Sequence, residues 1–155
     1  GFKSSIKEFN KNNIKVVFSG RKEPLSDKVY KSMKSLEKET LNNTGGILNI
    51  CLNYGGQTEI VDTTKKLIND VLDGKLKTED ITPEIFMKNL YNDLPPIDFL
   101  IRTSGEIRVS NFMLFSLAYA EMYFPHTYFP DFKEDEFDKA LEEYTKRDRR
   151  FGKNK

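Results

Sequence analysis

The sequence predicts an α/β fold, a mostly parallel sheet of about four strands with helices on both faces. Apolar, β-branched runs at 14–20, 47–52 and 97–102 are separated by stretches with helical spacing. Strands joined through helices pair in parallel, with right-handed crossovers. Each run also opens at its C-terminal end into a polar loop: Ser19-Gly20-Arg21, Asn53-Tyr54-Gly55-Gly56 and Arg102-Thr103-Ser104-Gly105. In a parallel sheet such loops share one edge, where open α/β folds bind ligands. Plain turn chemistry is the alternative reading for Gly20, Gly55 and Gly56 taken singly. At 155 residues the chain is expected to form a single domain, 1–155, with a sizeable core.

Taken in order, residues 1–13 mix Lys, Asn and Ser with Ile6 and Phe9, which reads as the tail of a helix. The first strand closes at Gly20, and Arg21 to Pro24 form a turn. Leu25, Val29, Met33 and Leu36 recur at helical spacing to about Leu41, where Asn42-Asn43-Thr44-Gly45-Gly46 stops the helix. The second strand, 47–52, is expected to be fully buried. An amphipathic helix follows, with Ile60, Val61, Thr64, Leu67, Ile68, Val71 and Leu72 on its apolar face. Thr82-Pro83-Glu84 opens a short helix with Thr as cap and Pro in the first turn. Pro95-Pro96 leads into the third strand. A helix over 111–121 and a fourth strand around 122–124 come next, and a last helix buries Phe137, Ala140, Leu141 and Tyr144.

Composition narrows the function. The formal charge is +1, which argues against an extended nucleic-acid-binding surface. The eight aromatic residues within 112–132 therefore read as core and subunit interface rather than base-stacking platforms. The single cysteine, Cys51, lies in a strand pattern and is expected to be a buried, inert thiol in a reducing, cytoplasmic compartment. No stretch approaches the roughly 20 apolar residues of a membrane span. His126 has no Cys or second His near it and takes no metal or catalytic role. The sequence opens without Met or a signal-like segment, and reads as a processed or trimmed product.

The stretch Ile101-Arg102-Thr103-Ser104-Gly105-Glu106-Ile107-Arg108-Val109-Ser110-Asn111-Phe112 carries the chemistry. Strand, polar turn and helix start is an arrangement that aims backbone N–H groups and a helix dipole at an anion. Ser110 is placed to be the N-cap. Of 25 basic residues only six are arginine, at 21, 102, 108, 147, 149 and 150. Two of them flank this turn, and arginine's planar fork matches two phosphate oxygens at once where lysine's ammonium does not. A phosphate or diphosphate site is one reading. Pairing of Arg102 and Arg108 with Glu106 and other carboxylates is the other. The basic cluster late in the last helix has a sufficient explanation in the helix dipole.

That stretch, followed by Leu117-Ala118-Tyr119-Ala120-Glu121-Met122-Tyr123-Phe124, resembles the cis-prenyltransferases, the undecaprenyl and dehydrodolichyl diphosphate synthases. Leu48-Asn49-Ile50-Cys51-Leu52-Asn53-Tyr54-Gly55-Gly56 and Arg147-Asp148-Arg149-Arg150-Phe151-Gly152 agree, in family order. The resemblance covers nearly the whole chain but only the C-terminal portion of the larger family fold. It implies elongation of an allylic prenyl diphosphate by isopentenyl diphosphate, with Mg2+ as cofactor. Arg102, Arg108 and Ser110 would hold the isopentenyl diphosphate group. Glu121 matches a carboxylate linked to magnesium, and Glu106 would orient the arginines or assist the metal. On a continuous helix Ser110 and Glu121 would lie roughly 16 Å apart, so the two are expected to serve different sites. Arg150 and Gly152 match a motif that reaches a neighbouring active site, implying a homodimer. Association with a membrane would be peripheral, through the product.

The family's Asp-Gly-Asn-Gly-Arg motif, with its magnesium-binding aspartate, does not occur in these 155 residues. No catalytic residue is therefore assigned, and the isolated chain is expected to be weak or inactive. Two other readings are a non-catalytic partner that completes another chain's active site, and an unrelated phosphate-binding α/β domain.

Overall fold

The computed structural model describes residues 2–147, and the chain divides into two compact units, Gly1–Asp93 and Leu94–Lys155. The first begins with helix α1 (Phe2–Lys11) and strand β1 (Ile14–Ser19), followed by α2 (Asp27–Glu39) and β2 (Gly46–Cys51). β1 and β2 pair in parallel, from Ile14 opposite Gly46 to Ser19 opposite Cys51. Val16, Phe18, Met33 and Leu36 form the buried cluster, with Ile6, Phe9, Leu25, Val29, Ile50 and Leu52 packed around it. The helical spacing read from Leu25 to Leu36 thus marks the face of α2 that covers β1.

Side chains of α2 and of the residue that ends it also close the edge of β1 that faces away from β2. The hydroxyl of Thr40, fully buried, accepts from Val16 N at 3.0 Å and donates to Leu36 O at 2.8 Å. Glu37 Oε1 accepts from Phe18 N at 3.0 Å. An edge strand presents unpaired donors that must be satisfied somehow, and here two helix side chains take the place of a strand.

Helix α3 (Gly56–Leu72), a 3₁₀ turn (Thr78–Asp80) and α4 (Pro83–Lys88) complete the unit. Thr82 caps α4, its hydroxyl accepting from Ile85 N, with Pro in the first turn as the sequence predicts. The burial of α3 differs from expectation. Gly56, Glu59, Thr63 and Leu67 are its buried residues, while Val61, Ile68 and Leu72 are exposed. Glu59 turns inward because it has partners there: it accepts from the Tyr54 hydroxyl and from Tyr91 N at 3.1 Å. Nor is β2 fully buried, since Ile47 and Leu48 are exposed.

The second unit holds β3 (Phe99–Ile101), β4 (Glu121–Tyr123), a 3₁₀ turn (Phe129–Asp131) and α5 (Glu134–Thr145). β3 and β4 are parallel, Phe99 opposite Glu121 and Ile101 opposite Tyr123. Tyr144 of α5 stacks on Phe99 with ring centroids 4.9 Å apart, and Ala140 is fully buried. Phe137 and Leu141 stay exposed, so the buried stripe of α5 is narrower than the sequence suggests.

The helix expected over 111–121 does not form. Ser110, Asn111 and Met113 adopt φ of 44°, 64° and 40°, and a right-handed helix cannot run through left-handed residues. The segment folds instead as successive turns, with Phe112 N bonded to Val109 O, Leu117 N to Met113 O and Ala120 N to Leu117 O. Among the described residues, the strands pair in parallel in two two-stranded sheets, β1–β2 and β3–β4, and helices follow β1, β2 and β4, while turns alone join β3 to β4.

Candidate functional site

The two loops that follow β1 and β2 lie side by side. Arg21 N donates to Asn53 O at 3.2 Å, and Asn53 Nδ2 returns bonds to Arg21 O and Glu23 O at 2.9 and 2.5 Å. Gly20 is required at this crossing: a Cβ there would sit 1.9 Å from Leu52 O. Beside it Asp62 of α3 takes a two-point bond from Arg21, at 2.8 and 2.6 Å, and a third from the Tyr91 hydroxyl at 2.6 Å. The hydrogen bonds from Arg21 bring the Asp62 carboxyl down to about 2, while burial and the bond to Asp62 push the Tyr91 phenol up to about 12. Cys51 is half-buried, and burial, with Glu59 nearby, raises its thiol to about 11, consistent with an unreactive sulfur.

In the second unit the loop after β3 gathers the arginines. Arg102 Nη1 donates to Ser110 Oγ at 3.0 Å and to Arg108 O at 2.7 Å. Arg108 forms an ion pair with Glu106. Arg102 thus links the Ser110 hydroxyl to the Arg108 carbonyl, and the pairing of Arg108 with Glu106, the other reading of this turn, is present.

How this loop is built differs from the expected anion cradle. Ser110 has φ 44° and is not an N-cap. Three of its backbone donors are committed to protein: Arg102 N to Tyr123 O at 3.0 Å, Ser104 N to Thr127 O at 2.8 Å, and Gly105 N to Pro125 O at 2.8 Å. Ser104 and Gly105 are both left-handed, at φ 71° and 67°. A Cβ on Gly105 would lie 2.6 Å from His126 Nδ1. Residues 125–127, which help shape the loop, carry no signature that the sequence could have displayed.

Glu121 opens β4, whereas Arg102 follows the C-terminal end of β3. Three residues of strand, roughly 10 Å, separate the two levels. Glu121 Oε2 is held by Arg147 Nη1 at 2.9 Å. Arg150 and Gly152 lie outside the described residues.

The family model described as "Putative undecaprenyl diphosphate synthase" matches residues 1–152. The chain belongs to this family, the cis-prenyltransferases. It is 49% identical over 150 residues to an isoprenyl transferase of Fusobacterium nucleatum, covering 97% of this chain and 63% of the relative. It is 46% identical over 151 residues to a ditrans,polycis-undecaprenyl-diphosphate synthase of Legionella pneumophila, named as specific for (2E,6E)-farnesyl diphosphate, with the same two coverages. The crystal structure of lavandulyl diphosphate synthase from Lavandula x intermedia, in complex with dimethylallyl diphosphate, superposes with a TM-score of 0.90 at 33% identity. That match covers 97% of this chain and 66% of the other. The chain thus spans about 63% of the length of these curated relatives.

Glu106 is engaged by Arg108 and Glu121 by Arg147. Among the described residues no three His, Cys, Asp or Glu side chains converge. These residues alone do not make a magnesium site. Nor, among them, is any helix long and apolar enough to cross a membrane.

Proposed function

We propose that this chain carries the isopentenyl diphosphate part of a cis-prenyltransferase active site. The observation that carries the reading is the bridge made by Arg102, whose guanidinium joins the Ser110 hydroxyl and the Arg108 carbonyl. Two fixed positive charges and a hydroxyl suit the two phosphoryl groups of a diphosphate. Arg102 holds the loop closed. Arg108 exchanges its Glu106 partner for a phosphate oxygen when ligand arrives, and Ser110 donates to a second oxygen.

The reaction proposed for the whole enzyme is addition of isopentenyl diphosphate to an allylic prenyl diphosphate, forming a cis double bond. A homodimer completed through Arg150 and Gly152, a magnesium requirement met with ligands additional to Glu121, and peripheral membrane association through the product belong to the same proposal. Assayed by itself, the 155-residue chain is expected to bind isopentenyl diphosphate while turning it over weakly or not at all.

Calorimetric titration with isopentenyl diphosphate, beside an Arg102→Ala variant, tests the reading. Micromolar binding that is lost in the variant supports it. Equal affinity for isopentenyl diphosphate and inorganic diphosphate would favour a general phosphate-binding domain. Absence of binding by folded wild-type protein sinks the proposal and favours a role completing another chain's site.

A further inference from the structure

We propose that the segment 125–127, clamped from α5 by Glu136, is the platform that sets the conformation of the diphosphate loop. Thr127 and Glu136 are then positioning residues for the site. This rests on the reading of Arg102, Arg108 and Ser110 as a diphosphate site. Where β3 and β4 end, their pairing continues in irregular form. Carbonyls of Tyr123, Pro125 and Thr127 receive the N–H groups of Arg102, Gly105 and Ser104 in turn. Two of those three bonds end on consecutive left-handed residues, so the sharp reversal at Ser104-Gly105 is held where the backbone is least willing to stay by itself. The loop also lies directly on the platform, since Gly105 leaves no room for a Cβ against His126.

The platform is fixed in turn from its other side. Thr127 Oγ1 donates to Glu136 Oε2 at 2.9 Å, and the second oxygen of Glu136 takes Lys139 Nζ at 2.5 Å. Glu136 stands in the first turn of α5, and its side chain is only 19% exposed. One residue, Thr127, therefore joins helix to loop: its hydroxyl binds α5 and its carbonyl binds Ser104. Neither Thr127 nor Glu136 is positioned to supply charge to the ligand, since the carboxylate is spent on Lys139 and the hydroxyl on Glu136. Their effect reaches the ligand through the geometry of residues 102–105.

The test combines amide hydrogen exchange with calorimetric titration by isopentenyl diphosphate, on the 155-residue chain and its Thr127→Val, Thr127→Ser and Arg102→Ala variants. A hydrogen bond to a carboxylate is worth enough that Thr127→Val should speed exchange at Ser104 and Gly105, and weaken binding, by roughly tenfold each. Thr127→Ser should restore both, and exchange at Val16 and Phe18 should not move. Wild-type exchange and affinity in Thr127→Val, or a loss that serine fails to restore, overturns the platform. If that happens while Arg102→Ala abolishes binding, the diphosphate reading stands without it. If the wild-type chain does not bind, the reading fails and the platform has nothing to position. Should Thr127→Val unfold the second unit, seen as lost protection at the β3–β4 amides, Glu136→Gln carries the test. It keeps an acceptor oxygen but not the charge, and exchange at Ser104 and Gly105 should rise about threefold. No change there overturns the proposal.

Discussion

Replacing Gly105 by alanine puts the loop geometry on trial, and its cost can be separated into parts. The backbone stands at φ 67°, a conformation that costs an L-residue about 1–2 kcal/mol. The new methyl carbon would approach His126 Nδ1 to 2.6 Å, so the imidazole must move, for about a further 1 kcal/mol. Against this, alanine loses less freedom on folding than glycine, returning about 0.4–1 kcal/mol. The net expectation is destabilisation of about 1–2.5 kcal/mol, a balance of the strain, steric and unfolded-chain magnitudes. Urea denaturation of wild type, Gly105→Ala, His126→Ala and the double variant measures it. Because His126 is exposed, His126→Ala alone should cost little. In the double variant it should recover the steric part only, giving a coupling energy of about 1 kcal/mol. A Gly105→Ala chain as stable as wild type would refute the left-handed turn. A coupling indistinguishable from zero would refute the packing of His126 on Gly105.

Other expectations follow from the same interactions. Asp62 lies below its ordinary value of 3.8, at about 2, through its bonds from Arg21. Its contribution is therefore present above about pH 4 and lost as pH falls through about 2; after allowance for screening it amounts to about 1 kcal/mol. Acid titration of stability should show this limb shrink in Asp62→Asn. Tyr91, raised from 10.0 to about 12, holds its proton more tightly when folded, so its contribution is present below pH 10 and disappears through about 12; Tyr91→Phe should flatten that alkaline limb. Thr40→Val leaves the buried Val16 N–H without its acceptor and should cost about 1–3 kcal/mol by urea denaturation, whereas Thr40→Ser should cost less. At pH 8 Cys51 should react with a thiol reagent about a hundredfold more slowly than an unhindered cysteine, through its smaller thiolate fraction; rapid labelling would contradict the raised thiol. Glu106→Gln should tighten inorganic diphosphate binding a few-fold in calorimetry by releasing Arg108, and weaker binding would show that Glu106 assists the ligand.

The sequence shows most of what periodicity governs and little of what hydrogen bonding decides. Strands 14–19 and 46–51 and helix α2 follow from apolar spacing because their buried side is made of apolar side chains. For α3 the same logic selects Val61, Ile68 and Leu72, yet Glu59 and Thr63 are buried instead. Glu59 is bound by Tyr54 and Tyr91, partners remote from any helical pattern. Residues 111–120 have the composition of a buried helix, but the left-handed conformations at 110, 111 and 113 override it. Propensity is a weak prior beside such local constraints. Within the proposed site, Arg102, Arg108 and Ser110 stand out in the sequence through residue type, whereas Thr127 and Glu136 do not, since a threonine and a helix-start glutamate are commonplace.

The division of labour in the Arg102–Ser110 loop follows from where its backbone donors go. A phosphate cradle made of main-chain N–H groups needs those groups unspent, but those of Arg102, Ser104 and Gly105 bond to Tyr123, Thr127 and Pro125. On the proposed reading, the arginine side chains and Ser110 supply the contacts that these three groups do not, and the carbonyls beneath supply loop rigidity. The two requirements meet in Arg102. Its N–H is tied to β4, and its guanidinium spans to Ser110 and the Arg108 carbonyl. A flexible arginine would lose rotamer freedom on capturing a ligand, and one already held has given up that freedom in folding. Both bonds leave one nitrogen, Nη1; Arg102→Lys would keep the charge and lose the planar guanidinium that sets where that nitrogen stands. The position is therefore defined by geometry as much as by charge.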